Sequence, residues 1–179
     1  MTRLAGKRVL LMATDGFEES ELFGPRALLV GDGAEVMLAS PNRSPIQATV
    51  MDDPGKTIRP DLTIAEVEVA DYDALVLPGG VRNPDTLRRD KQAIALIRAF
   101  HGEAKPIAAI CHGPWLLVEA GLLRGRRAAC WPSIATDLRN AGATVIDEAV
   151  VVDGLLVTSR KPADVPAFTE ALTTLILRP

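Results

Sequence analysis

A thiol and an imidazole stand side by side at Cys111-His112, inside the run Ala108-Ala109-Ile110-Cys111-His112-Gly113-Pro114. A thiolate attacks carbonyl carbon readily, and a histidine can take up or return the proton. The neighbouring residues say how the thiol is presented. Pro106–Ile110 is a short apolar run, the pattern of a buried strand. Gly113–Ala120 reads as the helix that follows. A side chain placed where a buried strand turns sharply into a helix occupies a nucleophile elbow, exposed at the top of a sheet. Ala109 and Gly113 supply the small neighbours such a turn needs. The free N–H groups and positive dipole end of the helix favour thiolate over thiol. The competing reading is a buried structural cysteine. Adjacency alone does not make Cys111 and His112 a pair, because neighbouring side chains at a turn can point apart.

Other groups could complete such a site. Gly79-Gly80 ends another apolar run and lets backbone approach a ligand closely. Cys130-Trp131-Pro132-Ser133 is a second loop of interest. Cys130 reads either as a resolving thiol for an oxidised Cys111 or as a packed strand-end residue. Trp131 and Trp115 either line a pocket or pack. A zinc site built from Glu18, Cys111 and His112 lacks a known ligand spacing, and no phosphate-binding glycine pattern occurs, so no metal or cofactor is expected.

These loops must be positioned by alternating strands and helices. Strands are expected at Arg8–Ala13, Glu35–Ala39, Asp73–Leu77 and Pro106–Ile110. Helices are expected at Glu18–Leu29 (stripe Phe23, Ala27, Val30), Asp85–Phe100 (stripe Ala93, Ile97, Phe100), Gly113–Ala120 and Pro132–Ala141. Ser40–Pro60, rich in turn formers, reads as a hairpin excursion. Val150–Val152 and Leu155–Thr158 flank Asp153-Gly154, a hairpin signal. Asp164 is expected to cap a last helix with Val165, Phe168, Leu172, Leu175 and Ile176 inward. Such alternation implies a mostly parallel sheet covered on both faces, with ligands beyond the strands' carboxyl ends.

Composition narrows the function class. The 179 residues suit one domain, 1–179. The chain is 47% hydrophobic and 24% charged, as in a folded globule rather than a disordered chain. Net charge is −3, with no basic stripe to suggest nucleic acid. Two Cys and two His are too few for a disulfide scaffold or a multi-His metal centre. No apolar run approaches the roughly 20 residues of a bilayer span, so no membrane partner is expected. The residues from Met1 to Lys7 lack a secretory apolar stretch; the expected location is a reducing cytoplasm, with free thiols.

The chain resembles the ThiJ/PfpI superfamily, and most closely its PfpI-type intracellular protease and general-stress-protein branch. The matching stretches are Asp15–Glu19, Asp73–Gly80, Lys105–Trp115, Pro132-Ser133, Thr136–Ala143, Val150–Gly154 and Thr158–Arg160, in the family's order over nearly the whole length. The resemblance implies a flavodoxin-like three-layer α/β sandwich with a C-terminal hairpin and helix. It implies that Cys111 is the reactive cysteine and His112 its base. It places Glu18 as the carboxylic acid that hydrogen-bonds the sulfur, which requires that Glu18 keep its proton. A third acid would come from a neighbouring subunit, with Asp85 the nearest candidate, although the protease members carry Glu in a segment one residue shorter. The N–H groups of Gly80 and His112 would form an oxyanion hole, and Gly79, Gly113, Trp131 and Pro132 would edge the pocket. Cys130 departs from the Ser or Thr usual there. The implied activities are peptide hydrolysis, conversion of methylglyoxal to lactate, or removal of early glycation adducts, on a small carbonyl or peptide substrate. Oxidative sensing through Cys111 is the alternative from another class. A homodimer or larger homo-oligomer is the implied assembly.

Overall fold

The structure, a computed structural model, describes residues 2–178. Its elements run β1 (Arg8–Met12), β2 (Phe17–Glu18), α1 (Glu19–Gly31), β3 (Glu35–Ser40), β4 (Ile46–Val50), β5 (Asp53–Ile58), β6 (Leu62–Thr63) and β7 (Ala74–Leu77). They continue with α2 (Arg82–Leu87), α3 (Lys91–Gly102), β8 (Ile107–Ile110), α4 (Pro114–Ala120), β9 (Arg127–Ala128) and α5 (Ala135–Asn140). The chain ends with β10 (Thr144–Val145), β11 (Val150–Asp153), β12 (Leu156–Ser159) and α6 (Val165–Ile176).

Seven strands form the main sheet in the order β11-β12-β8-β7-β1-β3-β6. Every pairing is parallel except β11 with β12, the hairpin that turns at Asp153-Gly154. Strands β7, β8 and β1 are buried on both faces, and their unbroken apolar runs reflect it. Side chains alternate between two cores. Leu75, Leu77, Ile107 and Ala109 face α3, α4 and α5. Ala74, Val76, Ala108 and Ile110 face α1 and α6. The result is a flavodoxin-like three-layer α/β sandwich. The excursion after β3 is the hairpin β4–β5, which extends β2 into a small separate sheet. Among the described residues no helix is long and apolar enough to cross a membrane.

Four local expectations are corrected. The helix over Asp85–Phe100 is two helices, because the Asp90 carboxylate accepts from the N–H groups of Gln92 (2.8 Å) and Ala93 (3.2 Å) and so starts α3 afresh. The helix over Pro132–Ala141 opens with a 3₁₀ turn at Pro132–Ile134 before α5. In α1 the buried positions are Glu21, Leu22, Pro25 and Leu29, whereas Val30 is 49% exposed. A buried carboxyl and a helical proline hid the true face from a hydropathy reading. Asp164 sits at the head of α6 but does not cap it: Arg160 holds its carboxylate at 2.9 and 3.1 Å.

Candidate active site

Register brings the site together. Leu77 and Ser159 flank β8 at Ala109 and Ile110, so Cys111 leaves the sheet between the ends of β7 and β12. Its own N–H donates to Ser159 O at 3.0 Å, and its carbonyl accepts from the Trp131 N–H at 2.8 Å. Cys111 has φ 63°, a left-handed conformation that costs a non-glycine residue on the order of 1–3 kcal/mol. This strain has a geometric result. Regular alternation would send residue 111 to the Ile107 and Ala109 face, but Cys111 packs in the core of Ile110, beneath α1. Gly113 makes the turn possible. A Cβ there would lie 2.5 Å from Leu77 O and 2.8 Å from Ile110 O, so Gly113 is packed into the elbow rather than lining a pocket.

The carboxyl beside the sulfur is Glu21, not Glu18. Glu18 is extended (φ −69°, ψ 123°) and pairs in β2; its side chain accepts from the Met51 N–H at 3.1 Å. Glu21 lies in the first turn of α1 and is fully buried. Its Oε2 accepts from the Gly79 N–H at 2.9 Å, and its carboxyl and the Cys111 thiol are hydrogen-bond neighbours. Burial pushes the Glu21 carboxyl up to about 8, against the pull of Cys111 and the Gly79 N–H. Its Oε1 accepts from no donor among the described residues, which costs a carboxylate more than a carboxylic acid. Glu21 therefore holds a proton at neutral pH.

Burial also pushes the Cys111 thiol up, and a charged Glu21 pushes it further. The backbone N–H groups of His112 and Gly80 pull it back down. Protonation of Glu21 removes the repulsive charge and leaves those donors opposed by burial, so a thiolate forms more readily there than it would beside a carboxylate.

His112 is buried between two aromatic rings. Trp115 meets it edge-on at 5.3 Å and Trp131 stacks at 6.1 Å. Nδ1 is 3.3 Å from Cys111 Sγ and Nε2 is 3.4 Å from Ser133 Oγ. Burial alone lowers its pKa, so the ring is neutral near pH 7 and able to accept a proton. Asp85 is exposed in the first turn of α2 and is not among the hydrogen-bond partners of His112 in this chain.

The Gly79-Gly80 loop is wedged between α1 and the elbow. A Cβ on Gly79 would lie 2.7 Å from Cys111 Cβ and would also strike Glu21 Oε2; one on Gly80 (φ 76°) would strike Gly16 O. Asn83, fully buried, fixes the loop. Its Nδ2 donates to Pro78 O and Gly79 O, both at 3.0 Å, and its Oδ1 accepts from the Thr14 N–H at 2.8 Å. Trp131 (38% exposed) and exposed Pro132 form the rim. Glu21, Asn83 and the Ser133 contact with His112 escaped the sequence reading. For Glu21 a signal existed: it is four residues before Pro25, on the buried arc of α1.

The DJ-1/PfpI family model matches residues 7–175. This chain belongs to the DJ-1/PfpI family. A deglycase of Pyrococcus abyssi is 42% identical over 169 residues, 94% of this chain and 99% of its own length. General stress protein 18 of Bacillus subtilis is 41% identical over 165 residues, 91% of this chain and 94% of its own. Among solved structures, a two-domain protein of Anabaena variabilis with DJ-1/ThiJ/PfpI-like and ferritin-like domains superposes with a TM-score of 0.89 at 34% identity. That match covers 94% of this chain and 47% of the other, so the chain spans about half that protein's length. DJ-1/PfpI membership accounts for the fold and is consistent with a cysteine-based enzyme.

Proposed function

We propose that this chain is a cysteine enzyme that attacks reactive carbonyl carbons, acting as a deglycase or cofactor-free glyoxalase on methylglyoxal or its early adducts. The observation behind it is the setting of one sulfur: Nδ1 of His112 at 3.3 Å, the buried Glu21 carboxyl beside it, and the N–H groups of His112 and Gly80 directed at it. The Cys111 proton passes to His112 Nδ1 as sulfur bonds to the aldehyde carbon. The carbonyl electron pair moves to oxygen, where Glu21 or the backbone donors stabilise it. With methylglyoxal, the aldehyde carbon is oxidised to the acid level while the ketone carbon is reduced to an alcohol. One water is added, so lactate forms with no external oxidant and no cofactor.

The peptidase reading has less support. Amide cleavage must also protonate an amine leaving group, which asks for a well-oriented imidazolium, commonly held by an acid. Within one chain His112 Nε2 meets the Ser133 hydroxyl and no carboxylate among the described residues. The relative from Pyrococcus abyssi is named a deglycase, which favours the same choice. A homo-oligomer and a cytoplasmic location complete the reading.

The test is methylglyoxal consumption with lactate formation, for the wild type and Cys111→Ser. Turnover in the wild type that vanishes in the variant is expected. Cleavage of a fluorogenic peptide without lactate formation would overturn the choice in favour of a peptidase.

A further inference from the structure

A general base at position 112 must present a lone pair to the thiol, so the tautomer of His112 matters. The side-chain partners of the ring are fixed by the fold. Nδ1 faces Cys111 Sγ at 3.3 Å, Nε2 faces Ser133 Oγ at 3.4 Å, and Trp115 and Trp131 hold the ring plane. If Nδ1 carried the hydrogen, it would point at the thiol and the ring could not take the thiol proton. The proton must therefore sit on Nε2, where an acceptor has to receive it. The hydroxyl of Ser133 stands in that place.

We propose that Ser133 is a positioning residue. Its hydroxyl accepts from the Nε2–H of His112, fixes the tautomer that leaves Nδ1 free for the Cys111 proton, and does so in place of a carboxylate within the chain. The inference deepens the reading of Cys111 and His112 as nucleophile and base. A hydroxyl orients the ring as an acid would but adds no negative charge, so the imidazolium gains less stabilisation.

The surroundings agree. From the elbow, the titratable neighbour is Cys111, with Glu21 behind it. From α4, Trp115 lies between the ring and the charged groups it touches: Asp137, which accepts from the indole N–H at 2.8 Å, and Arg88, 5.3 Å above the indole. From the turn before α5 comes Ser133. No charge contributes to the shift of His112, which burial alone sets. Ser133 itself lies in an exposed 3₁₀ turn, so removal of its hydroxyl leaves the core packing intact.

The tautomer is read directly from the ¹⁵N resonances of the imidazoles in the intact protein; there are only two His, and His112→Gln assigns them. The wild type is expected to show the Nε2–H form at position 112. Ser133→Ala should shift the ring toward a mixture of tautomers, and Ser133→Thr should restore the wild-type pattern. In parallel, the pH profile of iodoacetamide labelling at Cys111 should fall about 3- to 10-fold near neutral pH in Ser133→Ala, about what one neutral hydrogen bond is worth. Ser133→Thr should stay within about twofold of the wild type. An Nδ1–H tautomer in the wild type, or unchanged tautomer and labelling in Ser133→Ala, overturns the proposal. Neither readout needs a carbonyl substrate. A protein that lacks methylglyoxal turnover but shows the Nε2–H form would thus refute the proposed function while leaving the role of Ser133 standing.

Discussion

The two cysteines lie on opposite sides of the same sheet and are almost equally buried, Cys111 at 6% exposure and Cys130 at 5%. Burial raises the pKa of both, pushing Cys130 up to about 11. What differs is the company. Cys130 packs in the core of α3, α4 and α5, influenced beyond burial only by the opposing charges of Arg139 and Asp137. Cys111 packs on the α1 side among a carboxyl, an imidazole and two backbone N–H groups. Seclusion from water is therefore not what sets one thiol apart. The left-handed turn at Cys111 is, because it swings the side chain to the face where α1 supplies Glu21.

The sharpest test of that difference is to delete each sulfur. Cys111→Ser is expected to lower carbonyl turnover by about 10³-fold or more, since a serine hydroxyl there lacks the thiol's acidity and nucleophilicity. Cys130→Ser should leave turnover within about twofold, because it touches none of the reacting groups. Equal losses from both variants, measured as kcat/KM on methylglyoxal, would break the comparison.

The next effect belongs to Glu21 and has a definite sign. Burial pushes its carboxyl up to about 8 in the fold from an ordinary 4.5, so between those values the folded state binds a proton that the unfolded chain has released. That contribution to stability is complete below about pH 4.5 and is lost as pH rises through about 8. The decline is at most about 1.4 kcal/mol per pH unit from this one group. Glu21→Gln, which cannot ionise, should flatten it. Melting temperatures at pH 5 and pH 9 for both proteins check this, and parallel curves would show that Glu21 is ionised throughout. Glu18→Gln removes a half-buried carboxyl that burial also pushes up, against the pull of the Met51 N–H, so it should flatten the slope less than Glu21→Gln, whose carboxyl is fully buried.

Two glycines separate the faces next. Gly113→Ala puts a methyl 2.5 Å from Leu77 O, so β7 and β8 must move apart. The expected cost is about 1–3 kcal/mol or more, with loss of Cys111 labelling as the elbow opens. Gly102→Ala, at the end of α3 on the Cys130 side, meets no atom within 4 Å. It should be neutral or stabilise by up to about 1 kcal/mol. Urea denaturation of the two variants reads both, and similar destabilisation would mean the elbow is not tightly packed.

How much of this was legible in the sequence follows from which interactions are local. The strands β1, β3, β7 and β8 and the stripe of α6 announced themselves through apolar runs and helical period. The elbow was legible as a strand–Cys–His–Gly–Pro pattern. The split between α2 and α3 was less so, because Asp90 reads equally as a helical residue or a cap. Choosing among Glu18, Glu19 and Glu21 required the phase of α1. That phase was hidden because its buried arc contains Glu21 and Pro25, residue types that normally mark an exposed or broken face. The handedness at Cys111 and the meeting of His112 with Ser133 depend on chain segments that only tertiary packing brings together.

The smallest expected effect concerns oxidation, and it returns to the two faces. A resolving cysteine must bring its sulfur to the sulfenic acid it attacks. Here Trp131 N–H is bonded to the Cys111 carbonyl, so the two segments are neighbours in backbone, yet their side chains belong to different cores with the sheet end between them. Neighbouring backbones therefore do not imply neighbouring sulfurs. Mild peroxide treatment followed by intact mass spectrometry should show oxygen added at Cys111, with no species that has lost two hydrogens. Cys130→Ser should leave both the adduct pattern and the rate at which Cys111 is oxidised unchanged within about twofold. A Cys111–Cys130 disulfide would require at least one of the two side chains to leave the core in which it packs. Its appearance would show that the separation of the two thiols into different cores, on which their contrast rests, breaks down in solution.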